Sequence, residues 1–106
     1  MIANTPQAPY YAVIFSAVRT SENQGYAETN TFMNQLVTKQ DGFLGMESAQ
    51  SELGITISYW RDLEAIKTWK DDLDHKAAQI KGQKTWYSHY KVRIAKVERD
   101  YEFQKQ

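Results

Sequence analysis

The chain has 106 residues, 42% apolar and 25% charged, which is one domain of globular composition and excludes a disordered chain. Lys plus Arg and Asp plus Glu are both 13, so the formal charge is zero and the basic footprint of a nucleic-acid binder is missing. Without cysteine there is no disulfide, thiolate nucleophile or thiolate metal site, and the longest apolar run, Ala12 to Phe15, is far too short to span a membrane. With no leader-like segment at the start either, the expected location is cytoplasmic.

Residues 1–9 carry both prolines and little periodicity, and read as a flexible N-terminal tail. Tyr10 to Arg19 is β-branched and aromatic, bounded by Pro9 and a polar turn, and predicts a strand. Tyr11, Val13, Phe15 and Ala17 alternate with Tyr10, Ala12, Ile14, Ser16 and Val18, so both faces of this strand are apolar and both need cover. Tyr26, Thr29, Phe32, Met33, Leu36 and Val37 fall at helical spacing, with Gly42 as the expected left-handed terminator. Phe43–Gln50 and Ile55–Trp60 predict two strands joined by a short hairpin connection. Asp62 is a helix cap, followed by the apolar steps Leu63, Ile66, Trp69, Leu73, Ala77 and Ile80, with Gly82 as the expected end. The last strand alternates: Ser88, Tyr90, Val92 and Ile94 share one face, and Tyr87, His89, Lys91 and Arg93 the other, wet one, as suits an edge or a rim.

The order strand, helix, strand, strand, helix, strand predicts an α+β, ferredoxin-like βαββαβ domain with an antiparallel sheet over residues 10–100, followed by a C-terminal tail at 101–106. Two helices cover one face of a four-stranded sheet. The simplest cover for the second face is the same sheet of a second copy, so a homodimer is expected, as a dimeric α/β barrel. A domain this small buries only about two-thirds of its unfolded surface, which adds to the value of a partner subunit.

Two stretches resemble a known family. Asp41–Ser48, with its Gly-Phe-Leu-Gly, and Ser58–Tyr87, with Trp-Arg-Asp before a helix carrying a Trp and a downstream His, are similar to the antibiotic biosynthesis monooxygenase-like (ABM) domains. The closing strand Tyr90–Arg99 also fits, and the resemblance spans roughly residues 10–99. It implies a dimeric α+β barrel with a pocket in each subunit between helices and sheet. Some relatives oxygenate polycyclic aromatics with O2 and no metal, flavin or haem, the deprotonated substrate itself reducing O2. Others bind haem and open its ring, using a first-strand Asn. Here Phe15 or Ser16 stands near that position, and a serine lacks the amide's paired donor and acceptor, which weighs against haem degradation.

By the resemblance, Trp69 matches the helix Trp and His75 the family His, six residues on. The reading that follows is a cofactor-independent monooxygenase acting on a small electron-rich aromatic, a quinol or polycyclic phenol. His75 would be the base, and Trp69, Trp60, Phe15 and Ser16 would bind substrate. Each residue has a plainer explanation. Trp69 lies in a core stripe, Trp60 suits a pocket wall or a dimer seam, and His75 suits a solvated helix face beside Asp71 and Asp72. Arg19 and Arg61 could anchor an acidic substrate or simply end strands. Two histidines without metal-ligand spacing predict no metal site. The alternatives are a non-catalytic small-ligand-binding dimer, a haem-binding or haem-degrading relative with haem as cofactor, and a proton-transferring cyclase or isomerase.

Overall fold

The structure, a computed structural model, describes residues 1–77 and 85–105, with the side chains of residues 75–77 outside the described set. The elements are β1 (Tyr10–Arg19), α1 (Tyr26–Val37), β2 (Phe43–Gln50), β3 (Gly54–Trp60), α2 (Leu63–Ala77) and β4 (Tyr87–Val97). The sheet runs β2-β3-β1-β4 with every neighbouring pair antiparallel. This is the expected ferredoxin-like α+β fold, with the most apolar strand central and β4 at an edge. Ile80 and Gly82, the expected end of the second helix, lie outside the described residues.

Register sorts the side chains. Tyr11, Val13, Phe15 and Ala17 of β1 pair with Trp60, Ser58, Thr56 and Gly54 of β3 and lie on the helix side. Trp60 is fully buried there, packed with Val37, Ala65 and Ile66, and with the half-buried Tyr11, Val13, Phe43, Met46 and Trp69. Its indole N–H donates to Ser58 Oγ at 2.8 Å, so the polar atom of the largest core residue is satisfied within its own strand.

Local chemistry explains the joints. Asp62 caps α2 as expected, its Oδ1 accepting from Ala65 N at 2.8 Å. Gly42 does not end α1, which stops at Val37. It sits in the turn before β2 with φ +88°, where a Cβ would stand 2.6 Å from Ala65 Cβ. Its carbonyl accepts from Arg61 N at 2.8 Å. The glycine thus lets the turn pass under the first turn of α2. Within α1, Phe32 is 46% exposed, while Tyr26, Thr29, Met33 and Leu36 are half-buried and Val37 buried. The stripe is one residue narrower than its composition suggests. On β4 a register shift opposite Val18 and Arg19 skips Ser88 and turns Tyr87 to the helix side, beside Tyr90. Simple alternation had placed Tyr87 with His89, and a β-bulge corrects that.

The other face of the sheet carries Ala12, Ile14, Ile57, Ile55 and Ala49, with Val18 and Ile55 exposed. At its Tyr10 end, both chain termini are tied down. Tyr59 OH donates to Glu47 Oε1 at 2.7 Å, Ala3 N to Glu47 Oε2 at 2.8 Å, and Thr5 Oγ1 to Tyr10 OH at 3.0 Å. Tyr10 OH in turn donates to Asp100. The two phenol rings meet edge to face at 5.8 Å. The N-terminal segment, expected as a flexible tail, therefore lies against β1 and β2.

Gly42→Ala should destabilise the fold by about 2–4 kcal/mol, from left-handed strain plus the collision with Ala65; urea unfolding measures it. Glu47 is held below its usual range, first by the Tyr59 hydroxyl and then by Ala3 N–H. A lowered folded pKa means a contribution that is full above the unfolded value and lost as pH falls through the folded one. Between pH 5 and pH 3 the wild-type chain should therefore lose more stability than Glu47→Gln, which acid-range urea curves will compare.

Candidate functional site

The helix side of the sheet is not evenly covered. Over β3, α2 seals Trp60. Over β4, Tyr90, Val92 and Ile94 stay 58%, 47% and 55% exposed, although register puts them opposite Ala17, Phe15 and Val13 on the same helix side. This is an uncovered apolar strip beside the core.

Aromatic rings build one end of it. Phe15 lies 5.6 Å from Tyr87, edge to face, and 5.5 Å from Tyr90, and Tyr87 and Tyr90 are 5.9 Å apart. Tyr26 of α1 reaches Tyr87 at 6.2 Å and Trp86 at 5.6 Å. Offset and edge-to-face contacts of this kind fix ring positions against one another. Burial, then the hydrogen bond with Tyr26, pushes the Tyr87 phenol up to about 12.

Arg19 locks the cluster from outside. Its guanidinium stands 3.3 Å over the Tyr26 ring centroid. Nε donates to Trp86 O at 3.1 Å, and Nη2 donates to Glu22 O at 3.0 Å and Asn23 Oδ1 at 2.9 Å. Trp86, buried, donates its indole N–H to Gln24 O at 2.9 Å. The loop after β1 and the entry to β4 are thereby joined, and Arg19 serves them rather than an acidic ligand. Arg61 is likewise engaged with Asp41 and Asp62, at 3.1 and 3.2 Å. Those pairs rim a polar crevice of about 280 Å³ at the start of α2, with Gln40 and Glu64 in its wall. Arg61 is held there by the two aspartates.

The residues expected at a site are distributed as follows. Trp69 on α2 stacks on Trp60 at 6.2 Å and 27° and stays half-buried. Phe15 is half-buried in the strip's floor. Trp60, with no exposed surface, belongs to the core beneath the strip and not to a wall a ligand can touch. Ser16 pairs with Ile55 and Lys91 on the opposite face of the sheet. Neighbours on a strand point to opposite sides, so Ser16 cannot join Phe15 in one pocket. His75 lies within the bounds of α2, and its side chain is outside the described set. Nearby carboxylates on that helix are engaged: Asp71 with Lys67 at 3.1 Å and Asp74 with Lys70 at 2.7 Å.

Tyr87 and Tyr90 are the residues that sequence reasoning left out of the site. Tyr90 was legible as apolar-facing, but only the bulge brings Tyr87 to the same side. Lys70 of α2 also reaches this region. Its amine is raised chiefly by Asp74, with the Tyr90 phenol among the further groups acting on it. Among the described residues no group of three or more His, Cys, Asp or Glu is placed to hold a metal ion. An apolar floor and a phenol hydroxyl suit a flat aromatic ligand bearing an oxygen.

The family model for antibiotic biosynthesis monooxygenases matches residues 9–81. The chain belongs to the antibiotic biosynthesis monooxygenase family. It is 47% identical over 105 residues to the uncharacterized protein YqjZ of Bacillus subtilis (strain 168), covering 97% of this chain and 92% of that one. A variant of SnoaB, a cofactor-independent oxygenase from Streptomyces nogalater, superposes with a TM-score of 0.65 at 12% identity, over 83% of this chain and 92% of SnoaB. Rv0793 from Mycobacterium tuberculosis gives a TM-score of 0.58 at 13% identity, over 92% and 100%. At such identities the ABM likeness to these structures is one of fold. No helix among the described residues is long and apolar enough to cross a membrane.

Two of the seven tyrosines, Tyr59 and Tyr87, are pushed up to about 12, Tyr59 first by burial and then by Glu47. Absorbance titration should show a late ionisation step near pH 12 that loses one phenol's amplitude in Tyr87→Phe. A raised phenol pKa stabilises the fold below the unfolded value of about 10, and that contribution disappears as pH rises towards 12.

Proposed function

We propose that this ABM protein is a cofactor-independent monooxygenase acting on a small electron-rich aromatic, a quinol or polycyclic phenol, bound on the helix-side strip. The observation that carries the reading is the Phe15–Tyr87–Tyr90 cluster continued by the exposed Val92 and Ile94. An apolar aromatic surface left open beside a sealed core is where a flat ring gains most by leaving water. The ABM membership and the oxygenase SnoaB among the fold's relatives support oxygen chemistry over mere storage.

In this reading Trp69, stacked on the buried Trp60, borders the strip, and Tyr90 offers its hydroxyl to a substrate oxygen. His75 removes the proton from carbon or phenol oxygen. The carbanion form of the substrate then adds O2. The hydroperoxide loses water and leaves a carbonyl, so one oxygen atom enters the product and the other becomes water. Four electrons pass from the substrate to O2 as a ring C–H carbon ortho or para to the phenol oxygen becomes the carbonyl, and no external reductant is needed.

The open sheet face supports a homodimer, since exposed Val18 and Ile55 next to Ile14 and Ile57 otherwise remain in water. A cysteine-free chain fits action in the cytoplasm.

Oxygen uptake across a panel of quinols, anthrones and phenols tests the proposal. The expected result is uptake without added metal or flavin, with kcat lowered about 100-fold in His75→Ala. Tyr90→Ala should chiefly raise KM. Uptake untouched by His75→Ala would remove the base from the account. Tight binding with no oxygen consumed would leave a ligand-binding dimer instead.

A further inference from the structure

We infer that the hydroxyls of Tyr26 and Tyr87, under the charge of Arg19, form an oxyanion subsite at the head of the strip, which takes the ionised oxygen of a phenolic ligand. The inference rests on the strip as the ligand site, and says which form of the ligand is held and which way round it lies. Register places the head. Phe15 pairs with Val92, Ala17 with Tyr90 and Arg19 with Tyr87, so the strip ends at Tyr87, where the loop after β1 begins. A ring lying over Phe15, Tyr90 and Val92 has one edge toward that end.

Two things at the head are uncommitted. The first is a proton. The Tyr26 and Tyr87 rings are 6.2 Å apart, and their hydroxyls come close enough to hydrogen-bond. Such a contact uses one of the two O–H groups, and among the described residues no other group takes the second. The second is a charge. Arg19 gives Nε and Nη2 to Trp86 O, Glu22 O and Asn23 Oδ1, all uncharged acceptors, and among the described residues it forms no ion pair. It is half-buried, with its guanidinium 3.3 Å over the Tyr26 ring and 6.0 Å from the Tyr87 ring. At that range, and partly out of water, a cation favours negative charge on an oxygen bonded to either phenol. Hydrogen bonds to an ionised acceptor are also roughly twice as strong as those between neutral groups. Burial keeps the Tyr87 phenol protonated up to about 12, so it still donates where a ligand phenol has ionised. The ring surface and the head act together: an aliphatic acid would find no stacking surface, and a plain hydrocarbon ring no use for the donor.

Two ligands that differ by one methyl on the oxygen, 4-nitrophenol and 4-nitroanisole, separate the head from the strip. Their Kd values are measured by isothermal titration calorimetry at pH 8, where most of the nitrophenol is ionised. The expected result is wild-type protein that binds nitrophenolate at least tenfold more tightly than nitroanisole. Tyr26→Phe/Tyr87→Phe keeps both rings and removes both hydroxyls, and should bring that ratio close to one with the nitroanisole Kd within twofold of wild type. Arg19→Gln keeps a donor for Trp86 O and removes the charge, and should lower the ratio as well. No preference in the wild type, or a ratio unchanged in either variant, overturns the subsite and leaves the strip. A wild type that binds neither compound overturns the strip as ligand site, and the subsite with it.

Discussion

Both faces of β1 are apolar, and among the described residues two helices stand to cover them. Val13 and Phe15 look toward the helices, and Ala12 and Ile14 look away. Every larger feature follows from this constraint. Side chains alternate strictly along a strand, so no rearrangement of β1 can hide both sets on one side. The helices settle over β3 and the near half of β1, where Trp60 is sealed and Trp69 stacks on it. That leaves two apolar areas in water: the strip over β4 on the helix side, and the isoleucine face behind. The first is suited to a small flat ligand and the second to another sheet.

The strip is held open by interactions that lie outside it. Arg19 over Tyr26, its bonds to Trp86 O and Asn23, and the Trp86–Gln24 bond fix the loop after β1 against the start of β4. These bonds position Tyr87, and Tyr87 with Phe15 positions Tyr90. A ligand reaching the strip would find rings already ordered, which lowers the entropic cost of binding. On the far face, Glu47 accepts from Ala3 N and Asp100 from Tyr10 OH, which holds the segments before β1 and after β4 against the Tyr10 end of the sheet.

The fold was legible because it rests on periodicity. Period-two alternation and the Asp62 cap fixed the element order, and the need for cover followed from Ile14 and Phe15 pointing opposite ways. The site was less legible. The bulge at Ser88 that swings Tyr87 round has no local sequence mark, since alternation continues unbroken through Tyr90. Ser16 was set beside Phe15 because the family's first-strand position falls near either residue, whereas neighbours on a strand face opposite sides. Gly42 was read as a helix end because the distance to α2, 20 and more residues on, is invisible in sequence; its reason is Ala65. The Tyr10–Asp100 bond, spanning 90 positions, is beyond any local pattern. Trp60 looked like a wall and proved a foundation, because its polar atom found Ser58 two residues back.

The central claim is that one sheet divides its labour, with ligand on the helix side of β4 and subunit contact on the other face. Methyl and aromatic NMR of the protein titrated with an anthrone-type ligand tests it most directly. The account predicts shifts at Phe15, Trp69, Tyr90 and Val92, with Ile14, Ile55 and Ile57 unmoved. Shifts confined to the isoleucines, with the aromatic cluster silent, would contradict it.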